Sequence, residues 1–477
     1  MLVIVTLSIE GFSCGKVPLA PKGWTLSYEV QFNEGSDKAK VAISLDDPNA
    51  EVHSLYLRVL PSGYITNLHA EDSEIRGDKW VVGDVTEATL SYTININVKY
   101  KENGYSSYAD SNWIVTAGSF LFIIDEWRGT PGHPSEVRMK VTVPHGWAIY
   151  TPYPKISFGE FDATEVVDKI IPRDFIFAGK PGSYQIATRR ESDVDFTVIT
   201  VETERVEAQH ILDFLINLHP IYSQLAAYAP STVFAVIVPE PMRRYGGEAT
   251  VASILVSDDN PFPFDLSWGS SAYAHEFFHL YQRYYTDETW LKEGVAYYYQ
   301  QYGPFKAGYM TAEEFWNVLV NVISERADKD AILALNQDVY FKGSLVTMAL
   351  DIKIRQDTDN EFSFDDVFRR MNINYAHQYV SNTVLREITQ LITGKDYTDF
   401  FNKYVYGSGY PDEIFASAGP ELYEEEIANS ALHLLMLSQN LTNPSSLSDS
   451  YNSVWKSKDA EARFIEICEY VASGLCP

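Results

Sequence analysis

The apolar residues of this chain change their period once, and that change limits the fold more than any other feature. Before about residue 160 they recur at every second position; beyond it they recur every three or four. Residues 90–100 (LSYTININVKY) alternate cleanly, with Ile94, Ile96 and Val98 on one face and Asn95, Asn97 and Lys99 on the other. Residues 25–32, 39–45, 54–60, 120–124 and 137–143 read as further short strands separated by Gly, Pro, Asn and Asp clusters. This density of strands predicts an antiparallel β-sandwich over residues 24–160. Residues 161–410 then read as an α+β, mainly helical domain with a small sheet: strands at 196–201, 233–238 and 250–256, and helices at 204–227, 273–285, 289–302, 312–326, 340–355, 364–371 and 384–393. A block of strands followed by a block of helices does not wind into an alternating α/β fold. Residues 411–477 are predicted to be an acidic helical tail and residues 1–23 a separate N-terminal segment.

Charge narrows the partners. The 477 residues carry a formal net charge of −28, which repels phosphate backbones and anionic lipid heads, so nucleic-acid binding and membrane docking are not expected. Cys14, Cys468 and Cys476 are too few for a disulfide scaffold and lack zinc-ribbon spacing. Residues 1–9 (MLVIVTLSI) are apolar but about half the length of a bilayer span, so no stable membrane insertion is expected. No basic residue precedes them. The segment fits a signal remnant, an anchor at Cys14 or an ordinary first strand, and a cytoplasmic and an exported location both stay open.

The chemistry concentrates at His275-Glu276-Phe277-Phe278-His279. On a helix, residues i and i+4 share a face, so the two imidazoles converge on one point with Glu276 beside them. Two neutral histidines and an adjacent carboxylate are what a hydrolytic Zn²⁺ site uses, the carboxylate serving as base for a water made acidic by the ion. Tyr273, Ala274, Phe277, Phe278 and Leu280 around them suit a buried helix. By contrast His53, His69, His133 and His145 are scattered over the strand region and form no constellation.

A third ligand follows from hairpin geometry. Residues 285–288 (YTDE) read as a turn opening a second helix at Thr289. His279 and Glu293 each lie seven residues from the turn centre, so in an antiparallel helical hairpin both stand about 10 Å from the bend at the same level. Glu288 is too near the turn, and Glu313 and Glu314 belong to a later helix. The set His275, His279 and Glu293 predicts one Zn²⁺ per chain with a fourth position open, the pattern of a catalytic site.

These residues, with Trp290-Leu291-Lys292-Glu293-Gly294-Val295-Ala296-Tyr297-Tyr298, resemble the gluzincin metallopeptidases. Within them the likeness is to the glycyl aminopeptidase family, with the broader membrane-alanyl-aminopeptidase clan behind it. Tyr340-Phe341-Lys342-Gly343 resembles the clan's Tyr-x-Lys-Gly segment, and Pro144-His145-Gly146-Trp147 resembles the Pro-x-Gly-Trp strand end of the family's N-terminal sandwich. The resemblance spans residues 24–410, with its specific motifs within 246–346. It implies a thermolysin-like catalytic domain, a peptide substrate, and Tyr340 as a donor to the reaction's oxyanion; packing in an aromatic-rich helix start would also account for Tyr340.

The sequence departs from the family at two places. Only thirteen residues separate His279 from Glu293, a shorter connection than usual. The family's Gly-Gly-Leu-Glu-His stretch appears as Gly246-Gly247-Glu248-Ala249, shorter and without the histidine. The resemblance implies that Gly246, Gly247 and Glu248 bind substrate, with Glu248 on the free α-amine and residues 250–256 offering a strand edge; an ordinary strand-edge charge is the other reading of Glu248. The tail does not contain the six short strands of the PDZ module common in bacterial relatives. The activity expected is removal of N-terminal residues from peptides, with a zinc endopeptidase or a non-catalytic binding protein using the β-sandwich as alternatives.

Overall fold

The computed structural model describes residues 23–58, 63–97, 107–124, 134–164, 171–201, 205–239, 246–260 and 271–423. The first part is a β-sandwich. Its outer sheet runs, in spatial order, Lys155–Ser157, Glu160–Asp162, Glu136–Thr142, Thr25–Phe32, Lys38–Asp46, Glu87–Asn95 and Ile65–Glu71. Every second residue of Thr25–Phe32 is buried, as the period-two reading requires. The ladder is antiparallel except between Thr25–Phe32 and Glu136–Thr142, which run parallel.

The facing sheet consists of Ala148–Tyr150, Phe175–Gly179, Trp113–Ala117 and Ser107–Ala109. Its two central strands are buried along their whole length. Ile114, Ile176 and Ala178 point into the sandwich core, whereas Trp113, Val115, Phe175 and Phe177 point the other way, into a second core. That second core is shared with the sheet of the following domain.

The following domain begins with strands β1 (Tyr184–Glu191) and β2 (Val194–Val201), helix α1 (Ala208–Ala226), strand β3 (Thr232–Val238) and a hairpin of β4 (Gly247–Ala249) and β5 (Ser253–Ser257). Sheet order is β1-β2-β3-β5-β4, with β4 at an edge. One face, with Ile199, Val236 and Leu255, packs on the sandwich; the other, with Val198, Ala235, Ile254 and Val256, packs on the helices. Those helices include α2 (Ala272–His279), α3 (Thr289–Lys306), α4 (Phe341–Asp357) and α5 (Phe364–Asn374). Among the described residues no helix is long and apolar enough to cross a membrane.

Three sequence expectations are corrected. Residues 120–124 do not form a strand: Gly118–Leu121 is a helical turn, and the chain passes Pro172 so closely there that a Cβ on Gly118 would lie 1.9 Å from its carbonyl oxygen. Residues 250–256 do not form one strand, since Thr250 and Ala252 sit in the β4–β5 turn and accept the position set by Asp174. The helix expected over 312–326 contains a π-helical stretch, Val318–Ile323. The expected tail beyond residue 423, and the N-terminal segment 1–22, lie outside the described residues.

Asp174 ties the two parts together. Its Oδ1 accepts hydrogen bonds from Thr250 Oγ1 (2.6 Å), Ala252 N (2.7 Å) and Ser253 Oγ (3.0 Å), while the Phe175 N–H donates to Ser253 Oγ (2.8 Å). Burial pushes its carboxyl upward, and these donors pull it back. The sandwich thereby holds the hairpin that forms the edge of the second sheet.

Candidate metal centre

Helix α2 starts at Ser271, whose hydroxyl accepts from Ala274 N, and is buried over most of its length. Phe277 and Phe278 anchor it, Phe278 stacking on Tyr299 at 4.5 Å between centroids and Phe277 meeting Tyr281 edge-on. The helix therefore cannot roll, and His275 and His279 share one fixed face. It ends at His279 rather than continuing to residue 285. A tight turn follows, with Leu280 N and Tyr281 N bonded to Phe277 O and Phe278 O, and the chain reverses into α3.

The hairpin delivers Glu293. Its Oε2 lies 3.2 Å from His275 Nε2 and 3.3 Å from His279 Nε2, and the two Nε2 atoms are 3.1 Å apart. Among the described residues these three form the cluster suited to a metal, with donor atoms all within 4.8 Å. Burial pushes the Glu293 carboxyl up, but the neighbouring His279 and His275 outweigh it and hold it well below the usual carboxylate range. Burial lowers His275, and Glu293 and Glu276 raise it on balance.

The other ring nitrogens are held by amides that the sequence reading missed. His275 Nδ1 donates to Gln300 Oε1 at 2.9 Å, and His279 Nδ1 donates to Gln282 Oε1 at 2.6 Å. Gln282 also donates to the Lys292 carbonyl at 3.1 Å, linking the two arms of the hairpin. With Nδ1 protonated, both Nε2 lone pairs face the shared point, so the donor set fits Zn²⁺. Gln282 lies three residues after His279, in the turn that follows α2, and Gln300 lies seven after Glu293, two helical turns along α3, a spacing that would have pointed to it.

Tyr340 is brought to the same place by the packing of α3 on α4. A Cβ on Gly294 would lie 2.7 Å from the Gly343 backbone, so the two helices touch backbone to backbone. Tyr340, just before α4 and 44% exposed, sets its ring 6.0 Å from that of His275. Partial burial, then the charges of Glu293 and Glu276, push its phenol upward. Tyr297 stands alongside, 6.1 Å from the His275 ring, its phenol pushed up to about 12 by burial against the pull of Arg326. Lys342 is fully buried and donates to the carbonyls of Lys329 (2.9 Å), Ala331 and Ser408 (3.3 Å), fixing the start of α4.

Glu276 is 7% exposed and lies against the edge strand, where a Cβ on Gly247 would sit 2.3 Å from its Cγ. Gly246 is gripped by Asn260, which accepts from its N–H and donates to its carbonyl, both at 3.1 Å. The edge available to a ligand is thus β4, not residues 250–256. The structure brings His275, Glu276, His279, Glu293, Tyr340 and Gly247 together. Glu248 is not among them, because it leaves β4 on the opposite side from Gly247.

No protein-family model and no curated protein matches the chain. Solved structures do. An aminopeptidase N family protein from Idiomarina loihiensis superposes with a TM-score of 0.66 at 15% identity, over 82% of this chain and 78% of that one. An M1 zinc metallopeptidase from Deinococcus radiodurans gives 0.54 at 14% identity, over 82% and 94%. A substituted form of the Deinococcus enzyme, bound to the substrate Tyr-Ser-Ala, gives 0.57 at 13% identity, over 82% and 96%. The chain therefore shares its fold, a β domain followed by a mainly helical one, with aminopeptidase N family and M1 zinc metallopeptidase structures.

Proposed function

We propose that the chain hydrolyses peptide bonds with one zinc ion held by His275, His279 and Glu293. The reading is carried by three donor atoms converging within 4.8 Å beside a second, separate and buried carboxylate, Glu276. Two histidines and one glutamate leave a coordination position open, as catalytic zinc sites do and structural ones do not. When bound, zinc supplies Lewis acidity, lowering the pKa of a water from 15.7 to roughly 7 and polarising the carbonyl.

The protein's own groups do the rest. Glu276 accepts the proton of the attacking water and returns it to the leaving amine. Tyr340, whose raised phenol keeps its proton at neutral pH, donates to the oxyanion, an interaction worth about 2.7–4 kcal/mol in comparable holes. The peptide lies as an added strand along β4, with Gly247 allowing the backbone to pass close to Glu276. Removal of N-terminal residues is the mode supported by the likeness in fold to the aminopeptidase N family, by the Tyr-Ser-Ala bound to the Deinococcus enzyme and by the single amino acids, L-arginine and L-tryptophan, bound to two-domain M1 zinc metallopeptidase structures.

The test is mass spectrometry of a peptide mixture incubated with zinc-loaded wild type and with Glu276→Gln. Both proteins should bind one zinc, and the variant should lose about 10²–10⁴ in turnover. Bound zinc with no cleavage by wild type would instead favour a binding protein that uses the sandwich.

A further inference from the structure

Asp174 is a buried acid that the proposed reaction does not use. It belongs to the sandwich, one residue before the strand Phe175–Gly179, and has no exposed surface. The sandwich holds its main chain on both sides. Its N–H donates to the hydroxyl of the buried Tyr153 (2.9 Å), and its carbonyl accepts from the Gly118 N–H (3.1 Å). The next residue, Phe175, is paired with Ala117 in the facing sheet. The carboxyl group therefore projects from a fixed base.

That carboxyl reaches into the other domain. The three groups that donate to its Oδ1, Thr250 Oγ1, Ala252 N and Ser253 Oγ, all lie in the β4–β5 turn or on the first residue of β5. The turn is closed on itself by the Thr250 N–H, which donates to the Ser253 carbonyl (2.8 Å). Asp174 thus grips the turn as one body, and a side chain without an acceptor would leave the buried Ala252 N–H unsatisfied. Three residues along β4 from Thr250, about 10 Å away, is Gly247. There the strand backbone lies against the proposed base: a Cβ would fall 2.3 Å from Glu276 Cγ and 2.8 Å from its Oε1. Asn260 pins the far end of β4 through Gly246. A three-residue strand held at both ends is a wall for Glu276, and close packing passes any shift of that wall to the carboxylate. The zinc donors are carried separately, on α2 and α3, with their ring partners Gln282 and Gln300 on the same hairpin.

We infer that Asp174 is a positioning residue for the reaction: from the sandwich, through the β4–β5 turn, it sets how β4 stands against Glu276. This rests on the peptidase reading. It makes the sandwich a working part of the catalytic site, aiming the base and the strand edge along which the peptide is laid.

The experiment compares the zinc-loaded full chain with Asp174→Ala, Asp174→Asn, Thr250→Val and the double variant Asp174→Ala/Thr250→Val on one peptide with a free N-terminus. It reads kcat, KM, melting temperature, and zinc affinity by chelator competition. Asp174→Ala should lower kcat about 10–100-fold, with a smaller rise in KM and zinc affinity within about threefold of wild type. Asp174→Asn keeps an acceptor oxygen and should return kcat to within about fivefold of wild type. Thr250→Val removes one donor and keeps the shape, so kcat should fall about 3–10-fold. Added to Asp174→Ala it should cost less than about a further twofold, because the acceptor it served is gone. Wild-type kcat in Asp174→Ala and Thr250→Val, whatever their melting temperatures, would overturn the inference and leave the peptidase reading standing. So would losses that multiply in full in the double variant, or a fall in kcat matched by an equal fall in zinc affinity. If Asp174→Ala does not fold, Thr250→Val carries the test, and a kcat equal to wild type overturns the inference. Absence of cleavage by the zinc-loaded wild type would overturn the peptidase reading and this inference with it.

Discussion

The helical hairpin and the edge strand touch at one point, where Gly247 meets Glu276, but they are built on different terms. In the hairpin, positions are set locally. His275 and His279 share a face by helical repeat, Glu293 arrives by its distance from the turn, and Gln282 in that turn and Gln300 on α3 complete the set. In the edge strand, a short hairpin is held in place by one partner far away in sequence as well as by its own second arm. Asp174 of the sandwich holds the turn, Asn260 holds Gly246, and pairing with β5 decides which side chains face the metal. The hairpin tolerates a short connection because its geometry is internal. The strand does not tolerate a one-residue change, because its parity reverses.

Three substitutions would break or sharpen this contrast, beginning with the largest effect. Tyr340→Phe keeps the ring that packs near His275 but removes the donor, and kcat should fall about 10²–10³ with little change in KM. Steady-state kinetics checks this, and an unchanged kcat would return Tyr340 to a packing role. Gly247→Ala puts a methyl where Glu276 Cγ lies, so the base must move by the order of an ångström. Its kcat should fall about 10²-fold while zinc affinity stays at the wild-type value. An equal loss of zinc would mean that the strand and hairpin are not separable. Gln282→Leu attacks the hairpin alone. It removes the partner of His279 Nδ1 and the link to Lys292, and chelator competition should show zinc affinity about 10–100-fold weaker.

Much of this molecule was legible before its structure. Thr25–Phe32 reads as a strand within its observed limits, and the helices beginning at Thr289 and Phe364 begin where the periodicity places them. Phe175–Gly179 and Tyr184–Glu191 escaped notice. The first is apolar throughout, as a strand buried on both faces must be, and the second exposes much of its length and so lacks a hydrophobic period. Residues 120–124 read as strand because they are an unbroken apolar run, but Leu121 to Ile124 are buried by tertiary contacts, with an isolated bridge from Ile124 to Leu57 in place of a ladder.

By itself the sequence determined the convergence of His275, His279 and Glu293, because i and i+4 on a helix and equal distances from a turn are local geometry that needs no distant partner. It also determined the order of β and α regions, through the period of its apolar residues. Only the tertiary structure decided which face Glu248 takes. A side chain's face on a strand depends on which residue of another strand lies opposite, and Leu255, packed on the sandwich, lies opposite Glu248.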